Sequence, residues 1–324
     1  MRTAPFYKIN DNTCRISFSL FVIQKIYTGL YFMLNAVNNK VLKKKDRVSA
    51  LWTKISGDFS ERYLLYKLLE NINDGKNVYI NGDQLMDLVT SGATDSYVRN
   101  KHMVMLFESK DVLLNEIAKH NRNFPELEAI LKEKFYVLNS GELKAVKQLV
   151  NNIEFVLRKK FADTDYDVLE IDIYCMIVIH NPMFNCLGLN TLIQSWFDEE
   201  LNRLREMKDI NVSRVKPVIV LDIDTLILYE DYFKQDKDLI FSLANQYIAK
   251  VSEQDNMVEA LKGDENGLDN YYCEMQIPFS HFVDAYFTKI LPNKAMPERV
   301  TSMGKDIFPE AYINTMQSEK QIYI

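Results

Sequence analysis

The chain has 324 residues, 47% of them hydrophobic and 26% charged, and carries a net charge of −6 at pH 7. That balance excludes a disordered polar chain, and the length suits two domains, or one domain with extensions. The acidic total speaks against gripping nucleic acid through overall charge, because such binders carry a basic stripe or patch.

The basic runs Lys43-Lys44-Lys45 and Arg158-Lys159-Lys160 are more simply read as solvated surface. Cys14, Cys175, Cys186 and Cys273 are scattered, with no Cys-x-x-Cys pair. Neither a zinc site nor a disulfide framework is indicated, and a reducing cytoplasm is the expected compartment. Ile16 to Val37 is apolar-rich but interrupted by Gln24 and Lys25. It falls short of the roughly 18 uninterrupted apolar residues of a membrane span, and no short apolar core with a small-residue cleavage site is present. A soluble protein without a membrane partner is expected.

In chain order, a strand-like opening precedes an amphipathic helix around Phe21–Asn35, and Lys40–Arg47 reads as a polar linker. A helical pattern through Glu61–Leu69 follows, with Asp58 or Ser60 as its expected N-cap. Asn77–Ile80 reads as a short strand, and Asp83–Thr90 as one or two helical turns. Ser96–Arg99 and Met103–Phe107 form an expected hairpin across Asn100-Lys101. Helices are expected at Leu114–His120, Glu126–Phe135 and Glu142–Leu157. Ile171–His180 and Val215–Asp222 are near-continuous apolar runs, suited to strands covered on both faces. A helix at Leu189–Met207 lies between them, and helices at Lys237–Val251 and Ser280–Ile290 close the chain. The alternation implies an α/β fold with a mixed sheet. Residues 1–50 read as an N-terminal extension, as if the tail of a larger unit. Residues 51–235 read as the α/β core, and 236–324 as a helical C-terminal region.

The chemistry concentrates where an apolar strand runs into Glu108-Ser109-Lys110. Strand side chains alternate, so Glu108 and Lys110 share one face and Ser109 takes the other. Asp95 begins the preceding strand, and a hairpin returns it beside Glu108. Two neighbouring carboxylates repel unless a hard cation such as Mg²⁺ lies between them. A metal so held lowers the pKa of a bound water, and Lys110 is placed to orient that water or offset charge on a phosphate.

In these residues the chain resembles the PD-(D/E)xK nucleases, which share the restriction-endonuclease-like fold. Asp95 matches the Asp of that signature, with Thr94 in place of the frequent Pro, and Glu108 and Lys110 match its acid-x-Lys. The resemblance covers about Ser56 to Asp222. It implies a three-layer core with a mixed central sheet, plus helical N- and C-terminal extensions. It also implies a third acid from the preceding helix, which Glu61 fits, and a supporting Gln on the following helix, which Gln148 fits. Asp95, Glu108 and Glu61 would then be the metal ligands for Mg²⁺ or Mn²⁺. Nucleic acid would be the substrate, DNA ahead of RNA. A homo-oligomer or larger complex stays open. The alternative is an inactive nucleic-acid- or protein-binding module on the same fold.

Val218-Ile219-Val220-Leu221-Asp222-Ile223-Asp224-Thr225 looks like the first motif of haloacid-dehalogenase-type phosphatases, but one residue is missing before the Thr. It is read instead as a last core strand ending in polar turn residues. The four histidines, His102, His120, His180 and His281, do not cluster in sequence. His180 suits a capping or turn role more than catalysis, the alternative being a place at the sheet edge near the site. Tyr63 and Tyr66, at helical spacing, read as core packing, although aromatics can also stack on bases.

Overall fold

A computed structural model describes residues 6–10, 13–16, 29–86, 92–114, 123–138, 140–252, 255–291 and 297. An N-terminal antiparallel pair, β1 (Phe6–Asn10) and β2 (Thr13–Ile16), stands apart from the main sheet. That sheet has the order β3 (Val78–Asn81), β4 (Ser96–Asn100), β5 (Met103–Lys110), β6 (Asp172–Ile179), β7 (Ile219–Asp222). β3, β4 and β5 run antiparallel, whereas β5, β6 and β7 run parallel. The mixed sheet expected from the one hairpin is therefore present.

Its two faces are both covered. One carries Tyr97, Leu106, Cys175, Ile177 and Val220, packed by the helices Phe124–Phe135, Ala145–Leu157 and Leu189–Lys208. The other carries Val98, Met105, Phe107, Met176 and Leu221, packed by the helices Tyr66–Asn73, Ile223–Gln235, Leu239–Val251 and Phe279–Ile290. This sandwich explains the unbroken apolar run of β6, buried along Ile173–Ile179. The molecule is thus an α/β protein with helices on both faces of a mixed five-stranded sheet.

The outer edge of β7 is satisfied by side chains. Asn190 donates Nδ2–H to Val218 O at 3.1 Å and accepts from Val220 N–H at 2.6 Å. Gln194, one helical turn later, accepts from Val218 N–H at 2.7 Å. A bare strand edge is a template for unwanted pairing, and this helix covers it.

Several expectations need correction. The helix expected from Glu61 begins at Leu51, so Asp58 and Ser60 are interior to it and neither is its N-cap. Ser60 instead donates its hydroxyl to Asp111 Oδ2 at 2.5 Å. Across Ile55–Leu65 this helix is wound in the wider π form, and the Tyr66 N–H reaches back to Glu61 O. A search for 3.6-residue spacing is blind to that register. β5 runs on through Glu108 to Lys110, and the helix expected from Glu142 begins at Ala145. Leu143 is held back by an antiparallel bridge to Val137. The turn expected at Asp222–Asp224 is the start of a helix, with Asp222 Oδ1 accepting from Asp224 N–H at 3.0 Å as N-cap. Tyr66 is buried as expected, but Tyr63 is 64% exposed and stacks on Phe59 at 5.8 Å. Residues 17–28, most of the expected Phe21–Asn35 helix, lie outside the described residues. So do 87–91, 115–122 (with His120), 292–296 and 298–324. Among the described residues no helix is long and apolar enough to cross a membrane.

Candidate functional site

The parallel strands β5, β6 and β7 end at Lys110, Ile179 and Asp222, all at one end of the sheet. In open α/β sheets, ligands bind outside the carboxyl ends of such strands. The antiparallel pairing Ser96↔Phe107 brings Asp95, one residue before β4, to the same end, opposite Glu108.

Asp95 is held from several directions. Its own N–H donates to Phe107 O at 3.0 Å, and its Oδ2 accepts from Ser109 N–H at 2.5 Å. Just upstream, Thr94 Oγ1–H donates to Phe107 O at 2.5 Å. Asn152, fully buried, accepts from Thr94 N–H at 3.2 Å and donates to Gly92 O at 2.8 Å. The bend at Gly92 uses a left-handed φ of 74°, which glycine adopts without a Cβ penalty.

Glu108 is 1% exposed. Its Oε1 accepts from Lys110 Nζ at 2.6 Å, while its Oε2 is buried with no hydrogen-bond partner. Burying a carboxylate oxygen with nothing to replace its water is costly, so this orphan marks a place where a cation would be stabilising. Lys110 Nζ also lies 3.5 Å from Gln148 Oε1, the outer limit of a hydrogen bond. Gln148 sits on the helix Ala145–Leu157, one turn before Asn152.

Glu61 approaches from the helix that spans Leu51 to Asn73. Trp52 Nε1–H donates to Asp111 O at 3.0 Å, which pins this helix beside the end of β5. Glu61 Oε1 accepts the Tyr66 hydroxyl at 2.8 Å. Residues five apart diverge by roughly 140° around an α-helix. The π winding narrows that angle and brings the pair into line. Glu61 bonds directly to none of the other four residues, but its charge acts on Asp95, Glu108 and Lys110.

The electrostatics follow from this crowding. Burial pushes Asp95 well above the usual carboxylate range, and the Glu108 and Glu61 charges add to the shift against Lys110 and the Ser109 N–H. Burial likewise raises Glu108, with the Lys110 ammonium opposing. Burial raises Glu61 too, with the Tyr66 hydroxyl and Lys110 opposing. For Lys110, burial pulls the pKa down, but the Glu108, Asp95 and Glu61 carboxylates outweigh it and the ammonium is held charged. Three acids that resist ionisation around one fixed cation are short of positive charge.

The structure thus brings Asp95, Glu108 and Lys110 together with Gln148 at their margin and Glu61 across from them. It does not close them into a cage. Among the described residues no set of three His, Cys, Asp or Glu side chains is drawn together to hold a metal ion. The donor set that fits is the pair Asp95 and Glu108. Mg²⁺ is commonly bound by one or two carboxylates with its remaining positions taken by water.

Sequence reasoning missed Asn152, Tyr66 and Gly82 as parts of this centre. Asn152 had a readable signal, being four residues after Gln148 on the same helix face. A Cβ on Gly82 would meet the Tyr66 hydroxyl and lie 3.0 Å from Asp95 O and 3.2 Å from Asp95 Cα, a closeness that only the fold reveals. His180, expected as a turn residue, has its Nε2 2.8 Å from Ser109 Oγ. Burial pushes His180 down to about 4, so its ring is neutral at neutral pH. The Asp222-x-Asp224 stretch serves the helix start described above, with burial and the Asp224 charge raising Asp222 to about 6.

Compared with known proteins, the chain matches no family model and no curated sequence.

Proposed function

We propose that this chain is a metal-dependent nuclease with a restriction-endonuclease-like core, hydrolysing phosphodiester bonds. The observation that carries this reading is the buried Glu108 Oε2, which has no hydrogen-bond partner, on the residue that the β4–β5 register sets opposite Asp95. Asp95 and Glu108 would hold Mg²⁺ or Mn²⁺. Glu61 would join as a third acid once its Oε1 leaves the Tyr66 hydroxyl. When bound, the cation supplies a water of lowered pKa and a positive charge for a phosphoryl oxygen. Lys110, fixed by Glu108 and kept charged, orients the attacking water and offsets charge developing on the phosphate. Gln148 limits the swing of the Lys110 ammonium. DNA is favoured over RNA on the resemblance of Asp95, Glu108 and Lys110 to the PD-(D/E)xK signature.

The test is a cleavage assay on single- and double-stranded DNA and RNA with Mg²⁺, Mn²⁺ or EDTA. The wild type is expected to cut DNA only with metal. Lys110→Ala retains both carboxylates, and its rate is expected to fall by roughly 10²–10³-fold, as when a group that stabilises developing charge is removed. Cleavage of no substrate by the wild type would move the reading to a binding module on the same fold.

A further inference from the structure

We propose that His180 is a positioning residue for Asp95, acting through Ser109. The proposal rests on the metal-site reading above and extends it to the opposite face of the sheet. β5 and β6 pair in parallel with Lys110 opposite Ile179, so His180 is the first residue beyond the ladder. Its N–H donates to Lys110 O at 3.3 Å, which continues the ladder by one bond and sets the ring beside Ser109. The Ser109 Oγ and His180 Nε2 lie 2.8 Å apart. Ser109 is itself 8% exposed.

Ser109 is the middle residue of the Glu108-x-Lys110 motif, and its side chain points away from Glu108 and Lys110. Its main-chain N–H lies in the plane of the sheet, toward the β4 side, and donates to Asp95 Oδ2. One residue therefore carries a side-chain bond on one face of the sheet and a main-chain bond to Asp95 in its plane. The imidazole fixes the side-chain end, and the amide at the other end fixes the direction of the Asp95 carboxylate. Asp95 Oδ2 being so held, Oδ1 is the oxygen left to meet a cation. Groups that orient a metal ligand in this way typically change metal affinity by roughly 10–100-fold when removed. His180 bonds to Ser109 Oγ and to the Lys110 main chain, and its role is to keep the β5 peptide from twisting.

The experiment measures Mn²⁺ affinity by titration calorimetry and thermal stability in EDTA, for wild type and five variants. His180→Phe keeps a ring but removes both nitrogens, and Ser109→Ala removes the hydroxyl. Each is expected to weaken Mn²⁺ binding by roughly 10–100-fold. His180→Gln and Ser109→Thr preserve a hydrogen-bonding group and are expected to stay close to wild type. In the double variant His180→Phe/Ser109→Ala the loss should match the larger single loss, because both act through one bond. Should His180→Phe not fold, as the EDTA melt would reveal, Ser109→Ala carries the same prediction. Wild-type Mn²⁺ affinity in folded His180→Phe and Ser109→Ala would overturn the positioning role and leave the metal site standing, and so would additive losses in the double variant. Failure of the wild type to bind Mn²⁺ at all would overturn both.

Discussion

At the scale of single residues, the proposed metal-binding role and the stability of the fold oppose each other at Asp95. Burial and the neighbouring Glu108 and Glu61 charges raise its folded pKa well above the usual 3.8. A raised acid stabilises the fold when protonated. That contribution is fully present below the unfolded value and is lost as pH rises through the folded value. Asp95→Asn keeps an acceptor for the Ser109 N–H and removes the charge. It is therefore expected to stabilise the metal-free protein at pH 7. The advantage should shrink as pH falls through the raised value toward 3.8, read as urea midpoints in EDTA across that range. Cleavage should be lost at the same time. An advantage that grew on acidification would show that Asp95 is not held above its ordinary value. Gly82 gives a second residue-scale expectation. A Cβ there meets the Tyr66 hydroxyl and the Asp95 main chain, so Gly82→Ala should cost about 1–3 kcal/mol by overpacking. Because the strain falls on both Glu61's partner and Asp95, Mn²⁺ affinity should drop with it. A fully stable, fully active Gly82→Ala would show that this approach is not tight.

At the scale of elements, the β7 edge rests on a helix rather than on another strand. Asn190→Ala leaves the Val220 N–H buried without its acceptor, at a cost of about 1–3 kcal/mol. A chemical melt of Asn190→Ala against wild type reads that edge contribution, and an undiminished midpoint would show that the edge does not depend on this side chain. The same elements mark how far the sequence could be read. β5, β6 and β7 were legible because a strand buried on both faces is written as an apolar run, and the helix Leu189–Lys208 because its apolar period persists over five turns. Asp95, Glu108 and Lys110 were legible because period-two alternation and a short turn fix which side chains meet. The helix around Glu61 was only half legible. Its π winding over Ile55–Leu65 departs from the spacing that sequence patterns test, and its true start at Leu51 is not marked by a capping side chain. The helix Ile223–Gln235 was missed because Asp222 and Asp224 resemble a turn, when Asp222 is an N-cap. Bonds between distant segments, such as Asn152 to Gly92 and Thr94, carry no local signature at all.

At the scale of the whole molecule, two helices after residue 236, Leu239–Val251 and Phe279–Ile290, are part of the core. Phe241, Leu243, Tyr247, Phe279, Val283 and Phe287 are buried against the same face as β6 and β7. Phe287 stacks on Tyr229 with ring centres 4.1 Å apart. Phe287→Ala is expected to destabilise by about 3–5 kcal/mol, and a chain ending at residue 235 should fail to fold cooperatively in thermal circular dichroism. A cooperative melt for that truncation would show that the first 235 residues form a self-sufficient core. With both faces packed, the carboxyl end of the sheet is left to Asp95, Glu108 and Lys110, where the proposed metal would bind. The most direct measurement is Mn²⁺ binding to the wild-type protein by titration calorimetry, with Glu108→Gln beside it. Saturable binding by the wild type, weakened at least tenfold in a folded Glu108→Gln, is the predicted result, corresponding to about 1.4 kcal/mol or more. No binding by the wild type, or equal binding by the variant, would contradict it.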